Sequence, residues 1–273
     1  MESRNPVLTR ESQYVGFGQP GGVAQTAATS SAATAGMTAE QLQELYNRPA
    51  GGQGRAVQID DVIVKTAILF VILLVGAGVG WTTAESIPFL WIGAALVGFV
   101  LAMVNIFKKV VSPPLVMAYA LTQGVFLGGI SYFYSLRTTE PIVQQAVLGT
   151  LVAFGVMLTL YRTRIIKVNG RFKKVMMVAL ISYALIAVAS LVSSFFGVGQ
   201  GWGFYGVGGL GLILCLAGVG LASLTLALDF EAIAQSINQG LPEREAWRLG
   251  FGLMVTLIWL YLEILRFLSI LNR

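Results

Sequence analysis

From Val62 onward the chain alternates long apolar runs with short polar connections. The runs lack the polar–apolar alternation of a membrane-spanning strand, and each is close to the roughly 20 residues that a helix needs to cross the hydrocarbon core. This pattern predicts seven spans, at Val62–Thr83, Ile87–Phe107, Pro114–Leu136, Ile142–Tyr161, Val175–Gly197, Tyr205–Leu228 and Leu249–Leu271. Residues 1–58 read differently. They carry the pairs Gly21-Gly22 and Gly51-Gly52 and a tract of Ala, Thr and Ser from Ala24 to Gly36. So few large apolar side chains build no core, and a disordered cytoplasmic tail is expected. A short helix at Thr38–Arg48 is the exception, with Thr38 and Gln41 spaced as a capping box. The start of the tail is too polar for a secretory signal peptide, so the first span is expected to act as an uncleaved anchor.

Composition agrees with a chain that lives in lipid. Of 273 residues, 56% are hydrophobic and 11% charged, against about 25% charged in a soluble domain. The expected class is an all-α integral membrane protein with seven transmembrane helices. There is no histidine and one cysteine, Cys215. That excludes Ser-His-Asp and Cys-His catalysis, histidine-ligated zinc, an internal disulfide and a CxxC redox pair. No nucleophile–base pair stands out, so neither an enzyme nor a cofactor is expected. The net charge of +5 follows the spans rather than any nucleic-acid pattern. With the tail inside, 15 of the 18 Lys and Arg fall on inside segments, six of them between Arg162 and Lys174. The positive-inside rule then places the amino terminus in the cytoplasm and the carboxyl terminus outside the cell membrane.

Gly206, Gly208 and Gly211 match the letters of a dinucleotide fingerprint, but no strand precedes them. They, with Gly76, Gly78, Gly80, Gly124 and Gly128, are expected to let helices approach closely. The informative residues are ionisable. Of thirteen acidic side chains only Asp229 and Glu263 lie deep in spans, where a charge costs about 2.5–3.5 kcal/mol on insertion scales. Asp229 shares a helical stripe with Thr225, Ile233 and Ser236, and its helix is expected to continue toward Gln239 because Gly240 and Pro242 are the first breakers. Trp259, Glu263, Arg266 and Ile270 share another face, with Glu263 and Arg266 three apart. Two readings are open. Glu263 and Arg266 neutralise each other while Asp229 marks the end of its span; or Asp229 and Glu263 form a carboxylate pair across two helices, which cannot both ionise easily and so act as a proton switch.

Leu-Asp229-Phe-Glu in the sixth span and Tyr261-Leu-Glu263-Ile-Leu in the seventh resemble the Bax inhibitor family, including its YccA-like bacterial members. The third span, Tyr119-Ala-Leu-Thr-Gln-Gly124-Val-Phe-Leu-Gly128-Gly-Ile-Ser131, and Thr163-Arg-Ile-Ile-Lys167-Val are similar in style. The resemblance implies two three-helix layers around a central last helix, and a pH-sensitive calcium leak gated by the carboxylates at Asp229 and Glu263. It also implies that Lys108 or Lys109 pairs with Asp229. Asp229, Glu263, Thr225 and Asn105 would supply the oxygen ligands that calcium prefers, with Asp229 and Glu263 as transient metal ligands. The competing expectation is a membrane interaction protein that modulates membrane proteases or stress responses without transport.

The basic asymmetry yields a test. Reporter fusions at Gly170 and at the carboxyl terminus should fall on opposite sides of the membrane; the same side for both would contradict seven spans.

Overall fold

The computed structural model describes residues 55–138, 140–201, 203–206 and 208–272. The tail through residue 54, including the helix expected at Thr38–Arg48, lies outside the described residues. The rest forms seven helices long and apolar enough to cross a membrane: α1 Ile59–Thr83, α2 Leu90–Phe107, α3 Pro113–Ser135, α4 Ile142–Arg162, α5 Gly170–Phe195, α6 Gly208–Asn238 and α7 Ala246–Leu271. Two 3-10 turns, Val198–Gly201 and Gly203–Gly206, join α5 to α6.

Local chemistry sets the ends. Pro113 and Pro114 open α3, where a missing N–H costs nothing. Asn169 caps α5 by accepting from the Phe172 N–H at 2.8 Å. The helix therefore starts five residues before the apolar run, and its first turns carry Arg171, Lys173 and Lys174. Helix α6 does continue past Asp229, to Asn238, and stops at Gly240 with φ +63°. Its 31 residues span about 46 Å against a hydrocarbon core of about 30 Å, so its polar last turns extend beyond the lipid.

Helices α1–α3 form one layer, α4–α6 the other, and α7 lies between them. Half of the 26 residues of α7 are buried, against two of 18 in α2. Its buried side chains form two stripes at helical spacing. Phe251, Met254, Ile258, Tyr261 and Leu265 pack with Leu69, Tyr119 and Leu127 of the first layer. Leu253, Leu257 and Leu260 pack with Met157, Leu226 and Phe230 of the second.

The first layer is closed by small residues. A Cβ on Gly76 would meet Leu121 and Gly124; on Gly124 it would meet the Leu73 carbonyl and Gly76; on Gly128 it would meet Ala77. Gly76-x3-Gly80 and Gly124-x3-Gly128 thus run side by side in parallel register, the small-x3-small contact by which membrane helices approach backbone to backbone. Gly78 and Gly208 differ from expectation: neither faces any atom within 4 Å.

The expected tail boundary at residue 58 is too late. The Val57 N–H donates to the Leu241 carbonyl and the Glu243 N–H to the Arg55 carbonyl, each at 2.8 Å. Val57 is buried, and Lys65 pairs with Glu243 at 2.8 Å. Residues 55–58 therefore belong to the bundle, strapped to the α6–α7 connection.

The glycine contact predicts opposite effects from one methyl group. Gly124→Ala forces α1 and α3 apart and should lower the thermal midpoint in detergent by the equivalent of about 1–3 kcal/mol. Gly78→Ala should leave it unchanged or raise it, because alanine is the better helix former. Equal effects would contradict the packing.

Candidate functional site

Glu263 is held in the half of α7 away from the amino-terminal side of the bundle. It is 3% exposed. Its Oε1 accepts from the Tyr183 hydroxyl at 2.8 Å, Trp259 Nε1 at 3.1 Å and Arg266 Nη1 at 3.3 Å. Arg266 Nη1 also lies 3.4 Å from Oε2. The face read from the sequence is therefore real: Trp259 and Arg266, four residues before and three after, converge on the carboxylate. Tyr183 joins from α5 and Tyr205 donates to the Tyr183 hydroxyl at 3.0 Å. The Arg266 guanidinium also lies 4.4 Å from the Tyr205 ring centroid. Glycine at 218 makes the room, since a Cβ there would lie 2.8 Å from the Glu263 carboxyl carbon.

Asp229 sits in a different setting. Its Oδ2 is buried and has no hydrogen-bond partner among the described residues. Gly252 lies opposite on α7, where a Cβ would be 3.9 Å from Asp229 Oδ1, and the Thr256 hydroxyl faces the same carboxylate. None of the ion pairs among the described residues includes Asp229.

These contacts separate the two carboxylates. Glu263 faces Gly218 and Asp229 faces Gly252, so the antiparallel register of α6 and α7 is fixed twice. The two contacts are eleven residues apart on each helix, an axial distance of about 16 Å. The carboxylate pair expected across the sixth and seventh spans is therefore not formed, and the two groups cannot ligate one calcium ion. The physical reason is register: the glycines that admit each carboxylate lie three turns apart.

The other expected residues also resolve. Lys108 and Lys109 are exposed at the end of α2, where their carbonyls accept from Arg248 Nη2 at 3.3 and 2.8 Å. Neither pairs with Asp229. Asn105 donates to the Leu101 and Leu115 carbonyls, and Thr225 to the Leu221 carbonyl. Both side chains brace their own surroundings rather than Asp229. No group of three potential metal-binding His, Cys, Asp or Glu occurs among the described residues.

Sequence reasoning passed over Glu231, which accepts from the Tyr161 hydroxyl at 2.9 Å and from Gln235 at 2.7 Å. The continuation of α6 was the available signal: two residues past Asp229, a helical side chain points to the opposite face, here toward α4. Thr66 Oγ1 and Gln123 Oε1 are the other buried side-chain atoms without a partner among the described residues. Thr66 lies against Gly250 of α7.

The sequence matches the family model described as Bax inhibitor 1 like over residues 5–273. No curated protein sequence matches the chain.

Separate settings predict substitutions of opposite sign. Asp229→Asn removes a charge that no neighbouring cation offsets, and should leave the thermal midpoint unchanged or raise it. Glu263→Gln strips Arg266 of its counter-charge; with Arg266 30% exposed, the loss should be about 1–2 kcal/mol rather than the larger cost of a fully buried pair. The double variant should equal the sum of the two within about 0.5 kcal/mol, and a larger coupling would contradict the separation.

Proposed function

The chain belongs to the Bax inhibitor 1-like family of multi-pass membrane proteins, and we propose that it passes cations across the cell membrane in a pH-dependent manner, with calcium as the principal cation. Asp229 is the observation that carries this reading. A carboxylate oxygen buried at the α6–α7 contact, without donor or cation among the described residues, is costly in isolation. It is relieved by a proton or by a cation in transit. The Thr256 hydroxyl beside it adds an oxygen ligand of the type that calcium accepts.

In this reading Asp229 alone is the titrating gate. Its ionised form attracts a cation and its protonated form does not, so flux rises as the pH passes upward through its titration. Glu263 has a different part. Its three donors, Arg266 among them, hold it neutralised, so the far half of α7 acts as a closed, charge-balanced plug. The basic side of the bundle, with Arg55, Lys65, Lys108, Lys109 and the Arg162–Lys174 connection, is cytoplasmic by the positive-inside rule, which puts Asp229 in the cytoplasmic half and the carboxyl terminus outside.

A second reading rests on the connection between α4 and α5. Arg162, Arg164, Lys167, Arg171 and Lys174 are all exposed there, a surface suited to an acidic partner such as a membrane protease subunit.

Calcium uptake into liposomes containing the purified chain separates the two. The expected result is uptake above that of protein-free liposomes, rising with pH, and a pH-independent rate for Asp229→Asn. Glu263→Gln should change the rate but keep the pH dependence. Uptake no greater than in protein-free liposomes would favour the interaction protein; full pH dependence in Asp229→Asn would remove Asp229 from the gate.

A further inference from the structure

Helix α5 packs on α6 and on the two 3-10 turns, and Tyr183 carries it to Trp259 and Glu263 of α7. The space left between α5 and α7 is a cavity of about 700 Å³, within the range of small-ligand sites.

Its lining is graded. Leu180, Ala184, Ala187 and Leu191 of α5 all line it, and their spacing of four, three and four places them on one stripe, about 16 Å long. Ser190, Ser194, Tyr205 and Arg266 line it as well. Arg266 is five residues from Leu271, the end of α7, or about 7.5 Å along the helix, within headgroup reach of a long basic side chain. Ser194 is next to the last residue of α5. The polar end is thus the end near the membrane surface, and Leu180 and Ala184 lie deeper. Leu191, part of the wall, is itself 61% exposed, so the cavity communicates with lipid rather than with the core between the layers.

The unspent hydrogen-bonding capacity fixes the sign of the ligand. Glu263 Oε1 accepts from Tyr183, Trp259 and Arg266, and its Oε2 lies 3.4 Å from Arg266 Nη1, so the carboxylate already has a cation as its partner. Arg266 carries five N–H donors but hydrogen-bonds only through Nη1 among the described residues. Its Nε and Nη2 donors remain, on a guanidinium fixed between Glu263 and the Tyr205 ring. A guanidinium edge of this kind is matched by a phosphate.

We propose that the α5–α7 cavity binds one anionic phospholipid from the bilayer, with its phosphate on Arg266 and an acyl chain along the Leu180–Leu191 stripe. The site is independent of Asp229 and of cation flux.

Trp259 lines the cavity and serves as the probe. A variant with Trp81, Trp91, Trp202 and Trp247 replaced by Phe is reconstituted in phosphatidylcholine vesicles containing phosphatidylglycerol brominated on its acyl chains. Brominated phosphatidylcholine at equal bromine content is the comparison. The anionic lipid should quench Trp259 at far lower mole fraction, a preference of roughly tenfold for one charge-assisted contact. Arg266→Gln should abolish the preference while retaining some quenching. Ala187→Phe, which fills the groove without touching the charged cluster, should reduce quenching by both lipids. Equal quenching by the two lipids in the parent variant would overturn the proposal. So would quenching by both lipids left unchanged in Ala187→Phe, or quenching by a brominated fatty acid but not by the brominated phospholipid.

Discussion

Helix α7 is enclosed on two sides, and most of the structure depends on that enclosure. A helix with lipid on one face can turn a polar side chain toward the headgroups. One packed between two layers must satisfy its polar groups from its neighbours or leave them unsatisfied. Along α7 both outcomes occur. Tyr261 shares a hydrogen bond of 2.6 Å with Ser131 of α3. Glu263 gathers Tyr183, Trp259 and Arg266. Asp229, pressed against the same helix from α6, has an oxygen without a partner among the described residues.

This difference gives the two carboxylates different surroundings. Removing water from an ion costs several kcal/mol, and a buried ion pair recovers that only with good geometry and further hydrogen bonds. Glu263 has both, in Arg266 and in the donors from Tyr183 and Trp259. Asp229 is in none of the ion pairs among the described residues and has one oxygen without a partner, with the Thr256 hydroxyl facing the carboxylate, and under the proposed function its charge is the one that changes. A gate built from two coupled carboxylates needs them within a few ångströms of each other. The α6–α7 register places them about 16 Å apart along the helix axes, which leaves two separate sites.

The seven spans were legible because the hydrophobic runs are long and uncharged. Their ends were legible only where a breaker stands in the sequence. Gly240 marked the end of α6, whereas the start of α5 followed the Asn169 cap and not the hydrophobicity. The Glu263–Arg266 contact could be read from a spacing of three. The supposed pairing of Asp229 with Glu263 could not be tested that way: rarity says that each deep carboxylate needs a reason, not that they share one. Their separation is set by Gly218 and Gly252, two glycines among 32, whose role appears only when facing helices are brought together. Tyr183 gave no signal, being one hydroxyl in an apolar span. The family resemblance supplied the layered architecture, and the family model covers nearly the whole chain.

The central claim is that Asp229 and Glu263 are two independent sites on one enclosed helix. The direct measurement is infrared absorption of protonated carboxyl groups in the full chain in lipid, followed across pH for the parent protein, Asp229→Asn and Glu263→Gln. Independence predicts that each substitution removes only its own contribution and leaves the midpoint of the other unmoved. A shift of the remaining group's midpoint by about one pH unit or more, equivalent to about 1.4 kcal/mol of coupling, would mean that the two carboxylates share a site, and would contradict the account.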